Sequence, residues 1–294
     1  MDISPRSLRI ALTADLHYGT RHTAGNRATQ DIAAHLYENQ PDVLILGGDI
    51  GAGDDFARCL DLFENLSCLK LLVPGNHDIW VTSDDERGNS LRVYQEVLPR
   101  WANEHGFHYL DHGPLLLPEA SLAIAGSINW YDYSWAIEDL KRLVPDWEMR
   151  MRTKRFTRGR HNDAQFVRWP YSDISFTREV VATLIRHIDE GLAQMEKAIV
   201  ITHHPSFRGL NYPAADPFGL DEMMWRAFSG NETLESALLE RSQRIPFTFC
   251  GHTHHARNNM LGHTRGINIG GDYHAKRLIY LNWPGGQIET LAFG

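Results

Sequence analysis

Five short polar clusters in this 294-residue chain carry oxygen and nitrogen donors of the kinds that hold cations. They are Asp15-Leu16-His17, Gly48-Asp49, Gly75-Asn76-His77-Asp78, His203-His204 and Gly251-His252-Thr253-His254. Singly, most are weak signals. D-x-H recurs at Asp272-Tyr273-His274, and an isolated Gly-Asp is ordinarily a turn. G-N-H-D is far rarer by composition and carries more information. Imidazole combined with carboxylate suits Mn, Fe or Zn, whereas an all-oxygen set would favour Mg or Ca. No thiolate is among the donors, which argues against structural zinc.

The weight of the five clusters comes from what precedes each. The apolar runs 8–14, 43–46, 69–73, 198–202 and 247–250 read as buried strands, and every cluster stands at the carboxyl end of one of them. Helical spacing is expected over 28–39, 56–66, 90–104 and 176–195, with a further strand at 122–125. Strands alternating with helices imply an α/β fold with a largely parallel sheet core. In such sheets ligands gather at the strands' carboxyl ends. Gly-punctuated runs from 260 to 293 read as antiparallel strands closing a second sheet. The expectation is one domain over 1–294, a four-layer αββα sandwich of two mixed β-sheets flanked by helices.

The ordered set D-x-H, G-D, G-N-H-D, strand-terminal His and G-H-x-H resembles the calcineurin-like metallophosphoesterases, and it runs from Asp15 to His254. The resemblance implies two cations. One would be held by Asp15, His17, Asp49 and His254, the other by Asp49, Asn76, His203 and His252, with Asp49 shared. It also implies that His77 faces the phosphate, with Asp78 behind it. The chemistry is coherent. Cations about 3.5–4 Å apart repel strongly, so a shared carboxylate is required, and a water between them loses its proton near neutral pH and attacks phosphorus in line. Asn76 adds a neutral oxygen, which limits negative charge where an anion must bind. His77 would stabilise charge on the phosphoryl group or protonate the leaving oxygen, and Asp78 would fix its tautomer. Of the adjacent pair, His203 follows the strand directly and is the expected ligand; His204 faces substrate or is structural. His255, His263 and His274 are expected at the surface, and His22, His35, His105, His108 and His112 are structural or solvated.

Protein Ser/Thr phosphatases of that family carry G-D-x-x-D-R-G. Residues 48–53 here read Gly-Asp-Ile-Gly-Ala-Gly, without the arginine. G-N-H-D is closer to the phosphodiesterase and nuclease branches. The least family-like stretch, about 129–172, opens on Asn129-Trp130-Tyr131 and holds nine Lys/Arg against three acidic residues between 141 and 168. Read as a substrate lid, it would stack a base on Trp130 and Tyr131 and grip phosphate with Arg155 and Arg158. Read plainly, it is a solvated loop. The expected activity is hydrolysis of a small organic or nucleotide-type phosphoester, with a nuclease, a protein phosphatase and a non-catalytic scaffold as alternatives.

Composition narrows the partners. The formal net charge of -8 disfavours nucleic acid as a partner of the whole surface. No run is long and apolar enough for a membrane span, and the first ten residues lack a signal's apolar segment. Cys59, Cys68 and Cys250 fit no metal or redox spacing, and they read as reduced thiols of a cytoplasmic protein. Oligomeric state is not encoded in any of these features.

Overall fold

The computed structural model describes residues 5–19, 23–213 and 219–294, so His22 lies outside the described residues. In chain order the first sheet is laid down by β1 (Leu8–Thr13), β2 (Val43–Gly47), β3 (Leu69–Val73) and β4 (Phe107–Tyr109). The second begins with β5 (Leu115–Leu117), β6 (Leu122–Ser127), β7 (Lys197–Thr202) and β8 (Phe247–Cys250), followed by β9 (Arg257–Leu261) and β10 (Thr264–Asn268). The last two strands are β11 (Lys276–Trp283) and β12 (Gln287–Phe293). The two six-stranded sheets have the orders β12-β11-β1-β2-β3-β4 and β5-β6-β7-β8-β10-β9. β1 to β4 run parallel, as do β6, β7, β8 and β10. Antiparallel strands close the remaining edges.

Alternation along the strands explains the layering, since successive side chains point to opposite faces. Leu8, Ile10 and Leu12 of β1 join Val43, Ile45, Ile124, Ile199, Ile201 and Phe249 in one buried cluster between the sheets. The intervening residues Ala11, Leu44, Leu46, Ala123, Ala125 and Val200 pack in a second cluster with the helices. Both faces are covered, so the strands read as unbroken apolar runs. The outer layers include α1 (Thr23–Glu38) and α2 (Asp55–Asp61). α3 (Ser90–Arg92) and α4 (Leu98–Glu104) are joined by a π-helical turn at Val93–Val97. Pro99 has no N–H for the ladder, and the Leu98 amide reaches back to Val93 O. A helix expected to be uniform over 90–104 is therefore bulged.

The tail differs from expectation. β9 and β10 extend the second sheet, but β11 returns to pair with β1 in the first. The three-residue strands β4 and β5 are too short to leave a periodic signal. The helix expected over 56–66 stops at Asp61 and continues as turns.

The 129–172 stretch carries α5 (Glu138–Leu143), α6 (Trp147–Thr153) and α7 (Asp163–Phe166), and it ends at α8 (Asp173–Gln194). Trp130 and Tyr131 are fully buried and belong to the main core cluster. They offer no face on which a base could stack, which corrects the expectation for both. Trp130 Nε1 donates to Asp173 Oδ1 at 2.9 Å, and the Tyr133 hydroxyl and Lys154 ammonium both donate to Asp173 Oδ2. Asp173 thus ties the start of the stretch, α6 and the long helix α8 together. Later come α9 (Leu220–Ala227) and α10 (Glu232–Glu240). Among the described residues no helix is long and apolar enough to cross a membrane.

Lys154 and Asp173 form a buried ion pair, and removing one member strands the other charge. Asp173→Ala should cost ~3–5 kcal/mol of stability in urea unfolding, and adding Lys154→Met should recover only the part due to the stranded ammonium, since Trp130 and Tyr133 still lose their acceptor. A loss below about 1 kcal/mol, the worth of a surface pair, would show that the pair does not pin this stretch.

Candidate active site

The loops after β1, β2, β3, β7 and β8 converge on one point, and the backbone there is bent sharply. Asp15, His17, Asp49, His252 and His254 all have positive φ, between 42° and 69°. Non-glycine residues in this region are strained by about 1–3 kcal/mol each, and such residues collect at functional sites. Two glycines permit the close approach. A Cβ on Gly75 would sit 2.1 Å from Asp49 Oδ1, and one on Gly48, at φ +90, would sit 2.5 Å from His203 Nδ1.

Asp15, His17, Asp49 and His254 each offer one donor atom, and these four atoms lie within 4.8 Å of one another. The two imidazoles meet nitrogen to nitrogen, His17 Nε2 to His254 Nε2 at 3.0 Å. Asp15 Oδ1 accepts the His252 N–H at 2.9 Å, while its buried Oδ2 has no hydrogen-bond partner. On the other side, Asn76 Oδ1 faces His203 Nε2 at 3.2 Å and His252 Nδ1 at 3.3 Å. His203 Nδ1 lies 3.0 Å from Gly47 O. A carbonyl only accepts, so Nδ1 carries a proton and Nε2 is the ring atom that faces the cluster. Asp49 stands between the two groups, with Oδ1 3.4 Å from His203 Nε2 and Oδ2 3.6 Å from His17 Nε2.

The electrostatics describe a cluster short of positive charge. Burial would raise the Asp49 carboxyl, but His203, His77 and His17 outweigh it and hold it well below the usual range. Burial drives His17 well below its ordinary value, only partly opposed by Asp49. At His203 burial is overcome by Asp49 and Asp15, which lift it to about 9. These carboxylates thus draw a proton onto an imidazole where a cation would serve the same need. The unpartnered Asp15 Oδ2, the opposed histidine nitrogens and the converging oxygens of Asp49 and Asn76 all fit bound cations.

His77 is held differently from the expectation. Its N–H donates to Asp49 Oδ1 at 2.9 Å, and its Nε2 lies 3.9 Å from Asp49 Oδ2. Asp78 does not touch the ring; it accepts the Gly51 N–H at 2.9 Å and the Gly75 N–H at 2.7 Å. It is therefore a clasp between the loops after β2 and β3. Burial and the nearby Asp49 charge push its pKa up to about 8, against the two N–H bonds. The imidazole is oriented instead by Trp80, stacked at 3.6 Å and 24°. Of the two readings of His204, the geometry fits the structural one. It is fully buried, its Nδ1 is 3.2 Å from Ile128 O, and its ring lies 4.1 Å from that of His252. It backs a candidate ligand and does not face the open site.

A cavity of about 520 Å³ opens over Asp49, Asn76, His77, His252 and His254, walled by Trp80, Tyr212, Trp225 and Tyr273. Arg155 and Arg158 are exposed and do not line it; His161 and Asn162 are the residues of the 129–172 stretch that do. His255 stands at the rim, exposed as expected. Sequence reasoning missed Trp80, Tyr273, Asp163 and Lys276. Tyr273 packs its ring 4.4 Å from that of His17. Lys276 is buried and donates to Asp15 O at 2.8 Å, and burial brings its pKa down to about 8. Asp163 carries a pKa of about 2; burial would raise it, but His161 and the Asn76 amide prevail. Only the D-x-H echo at 272–274 offered any signal, and it pointed to His274 instead of Tyr273.

With the geometry in place, comparison supplies the family. The model of the calcineurin-like phosphoesterases matches residues 8–256, and the chain belongs to that family. It is 30% identical over 129 residues to the acyl-carrier-protein phosphodiesterase PptH of Mycobacterium tuberculosis, a match spanning 42% of this chain and 38% of that protein. The crystal structure of phosphopantetheinyl hydrolase PptH from Mycobacterium tuberculosis is similar in fold, with a TM-score of 0.69 at 20% identity over 93% of this chain and 92% of that one. A dimetal phosphatase from Danio rerio has a TM-score of 0.56 at 16% identity, covering 97% of this chain and 99% of its own.

The different settings of Asp78 and Trp80 separate their effects. Asp78→Asn puts an N–H₂ group against a backbone N–H, so it should loosen both loops and weaken Mn binding ~10–100-fold. Trp80→Leu should leave Mn affinity near wild type while lowering kcat. Calorimetric Mn titration beside steady-state kinetics checks both; an Asp78→Asn protein with intact Mn affinity would contradict the clasp.

Proposed function

We propose that this chain is a binuclear-metal phosphodiesterase acting on a phosphoester that carries a bulky organic group. The observation that supports it best is Asp49, which turns one oxygen toward each of two donor clusters on the floor of the cavity. Asp15, His17, Asp49 and His254 would hold one cation, and Asp49, Asn76, His203 and His252 the other. The donor set favours Mn, Fe or Zn. When bound, such a pair supplies Lewis-acid polarisation of phosphoryl oxygens and of the attacking water.

The chain's own residues do the rest. His77 opens to the cavity beside Asp49, where its imidazole can donate a ring N–H to the transferring phosphoryl group or to the leaving oxygen. Trp80 fixes the plane of that imidazole from behind. Trp225 and Tyr212 lend the cavity an apolar wall suited to the non-reacting part of the substrate. A phosphopantetheinyl arm on a carrier protein is the substrate we favour, because the relative matched over part of the chain is an acyl-carrier-protein phosphodiesterase. A slender arm fits a cavity of about 520 Å³, where a nucleic-acid duplex would not enter.

The test is direct. Incubated with holo-acyl carrier protein and Mn, the chain should release the arm, seen as the corresponding loss in the carrier's intact mass. Cleavage of nucleotide diesters with the carrier left intact would redirect the substrate assignment. His77→Ala should keep Mn bound yet lose roughly 10²–10⁴-fold in kcat, whereas loss of Mn would make His77 a ligand. Trp225→Ala should raise KM for the carrier substrate and leave bis(p-nitrophenyl) phosphate unaffected. Equal KM changes for both would remove Trp225 from the substrate wall.

A further inference from the structure

Asn76 is useful as a cation ligand only if its amide presents oxygen, and an amide can turn either edge to the site. Its Nδ2 is fixed on the far side, donating to Asp163 Oδ1 at 3.0 Å. With the nitrogen pinned there, Oδ1 must face His203 and His252, where it is found. The same Asp163 Oδ1 accepts Trp80 Nε1 at 2.8 Å. Trp80 is the platform on which His77 stacks, and its other neighbour is Phe166 of α7, 5.0 Å away. One buried oxygen atom therefore sets both the edge that Asn76 shows the cations and the plane beneath His77.

We propose that Asp163 is a positioning residue for the reaction, coupling cation affinity at the Asn76 site to the orientation of His77. This rests on the reading of Asn76 as a cation ligand and His77 as the proton-handling group. Asp163 comes from the 129–172 stretch and lies outside all five clusters read in the sequence. It is itself braced, because Tyr131 Oη donates to its Oδ2 at 2.7 Å and its N–H donates to His161 Nδ1 at 3.2 Å. A further tie is the Val81 N–H, which donates to Phe166 O at 2.9 Å. Besides the cavity-lining His161 and Asn162, the stretch contributes to the site through this strut from behind, and the buried Trp130 and Tyr131 brace that strut and do not cover the substrate.

A carboxylate can accept from two donors at one oxygen and a third at the other. An asparagine can keep its oxygen on Asn76 and Trp80 and turn its N–H₂ to the Tyr131 oxygen, so it loses only the charge. In Asp163→Leu every acceptor is lost, and the Asn76 amide and the indole are free to turn. Asp163→Glu keeps the charge but moves it by one carbon. Tyr131→Phe removes a brace without touching Asn76 or Trp80.

Mn titration by EPR, indole N–H NMR of Trp80 and kinetics on bis(p-nitrophenyl) phosphate together test the proposal. Wild type should bind two Mn. Folded Asp163→Leu and Asp163→Glu should each bind one Mn ~10–100-fold more weakly, with the other unchanged. Their Trp80 indole proton should shift upfield, and kcat should fall at constant KM. Tyr131→Phe should lower the melting temperature and weaken the same Mn site by less than the Asp163 variants do. Either Asp163 variant, once folded, binding both Mn with wild-type affinity and turning over at the wild-type rate would overturn the proposal. A wild-type chain binding fewer than two Mn would instead overturn the reading on which it rests.

Discussion

A carboxylate with almost no contact with water, ringed by imidazoles, is the constraint on which this structure turns. Asp49 is buried and charged, and burial of an isolated carboxylate is costly unless positive charge compensates it. His17, His77 and His203 surround it, yet burial presses His17 and His77 toward their neutral forms. The positive charge the cluster calls for is best supplied by cations. Three of the five loops carry strained backbone at candidate donors, and two packed sheets hold their strand ends in register. Three glycines at those ends have no room for a side chain against Asp49, His203 or Asp15.

The sheet cores and the gathering of the candidate donors were legible because each obeys a short rule. Strands buried on both faces are continuous apolar runs, and β3 and β8 fall where those runs begin and end. The donors follow them directly, so chain order alone placed Asp15, Asp49, Asn76, His203 and His252 at one edge. The pairing of β11 with β1 was not legible. It joins residues near opposite ends of the chain, and apolar alternation does not say which sheet an antiparallel hairpin enters.

Side-chain partners around the site were the other blind spot. Asp78 beside His77 in sequence suggested that it would orient the ring, but the tight turn points the carboxylate back at Gly51 and Gly75. The ring's actual support is an indole three residues along the chain. The basic stretch likewise misled. Its arginines remain at the surface, while the aromatics expected to meet substrate are pulled into the core by Asp163 and Asp173. Composition reports that a segment is charged and aromatic; it cannot report which of those side chains a buried carboxylate will claim. The division of labour that results is physical. Strand-end loops carry the candidate donors, and the stretch between β6 and α8 contacts Asn76 and Trp80 from behind through Asp163.

The central claim is that Asp49 is shared between two cations. Anomalous diffraction at the manganese edge, from crystals grown with Mn, measures that most directly. The account predicts two peaks about 3.5–4 Å apart, one beside each Asp49 oxygen, the first also touching Asp15 and His254 and the second touching Asn76 and His203. A single peak, or two peaks neither of which is bonded to Asp49, would contradict it.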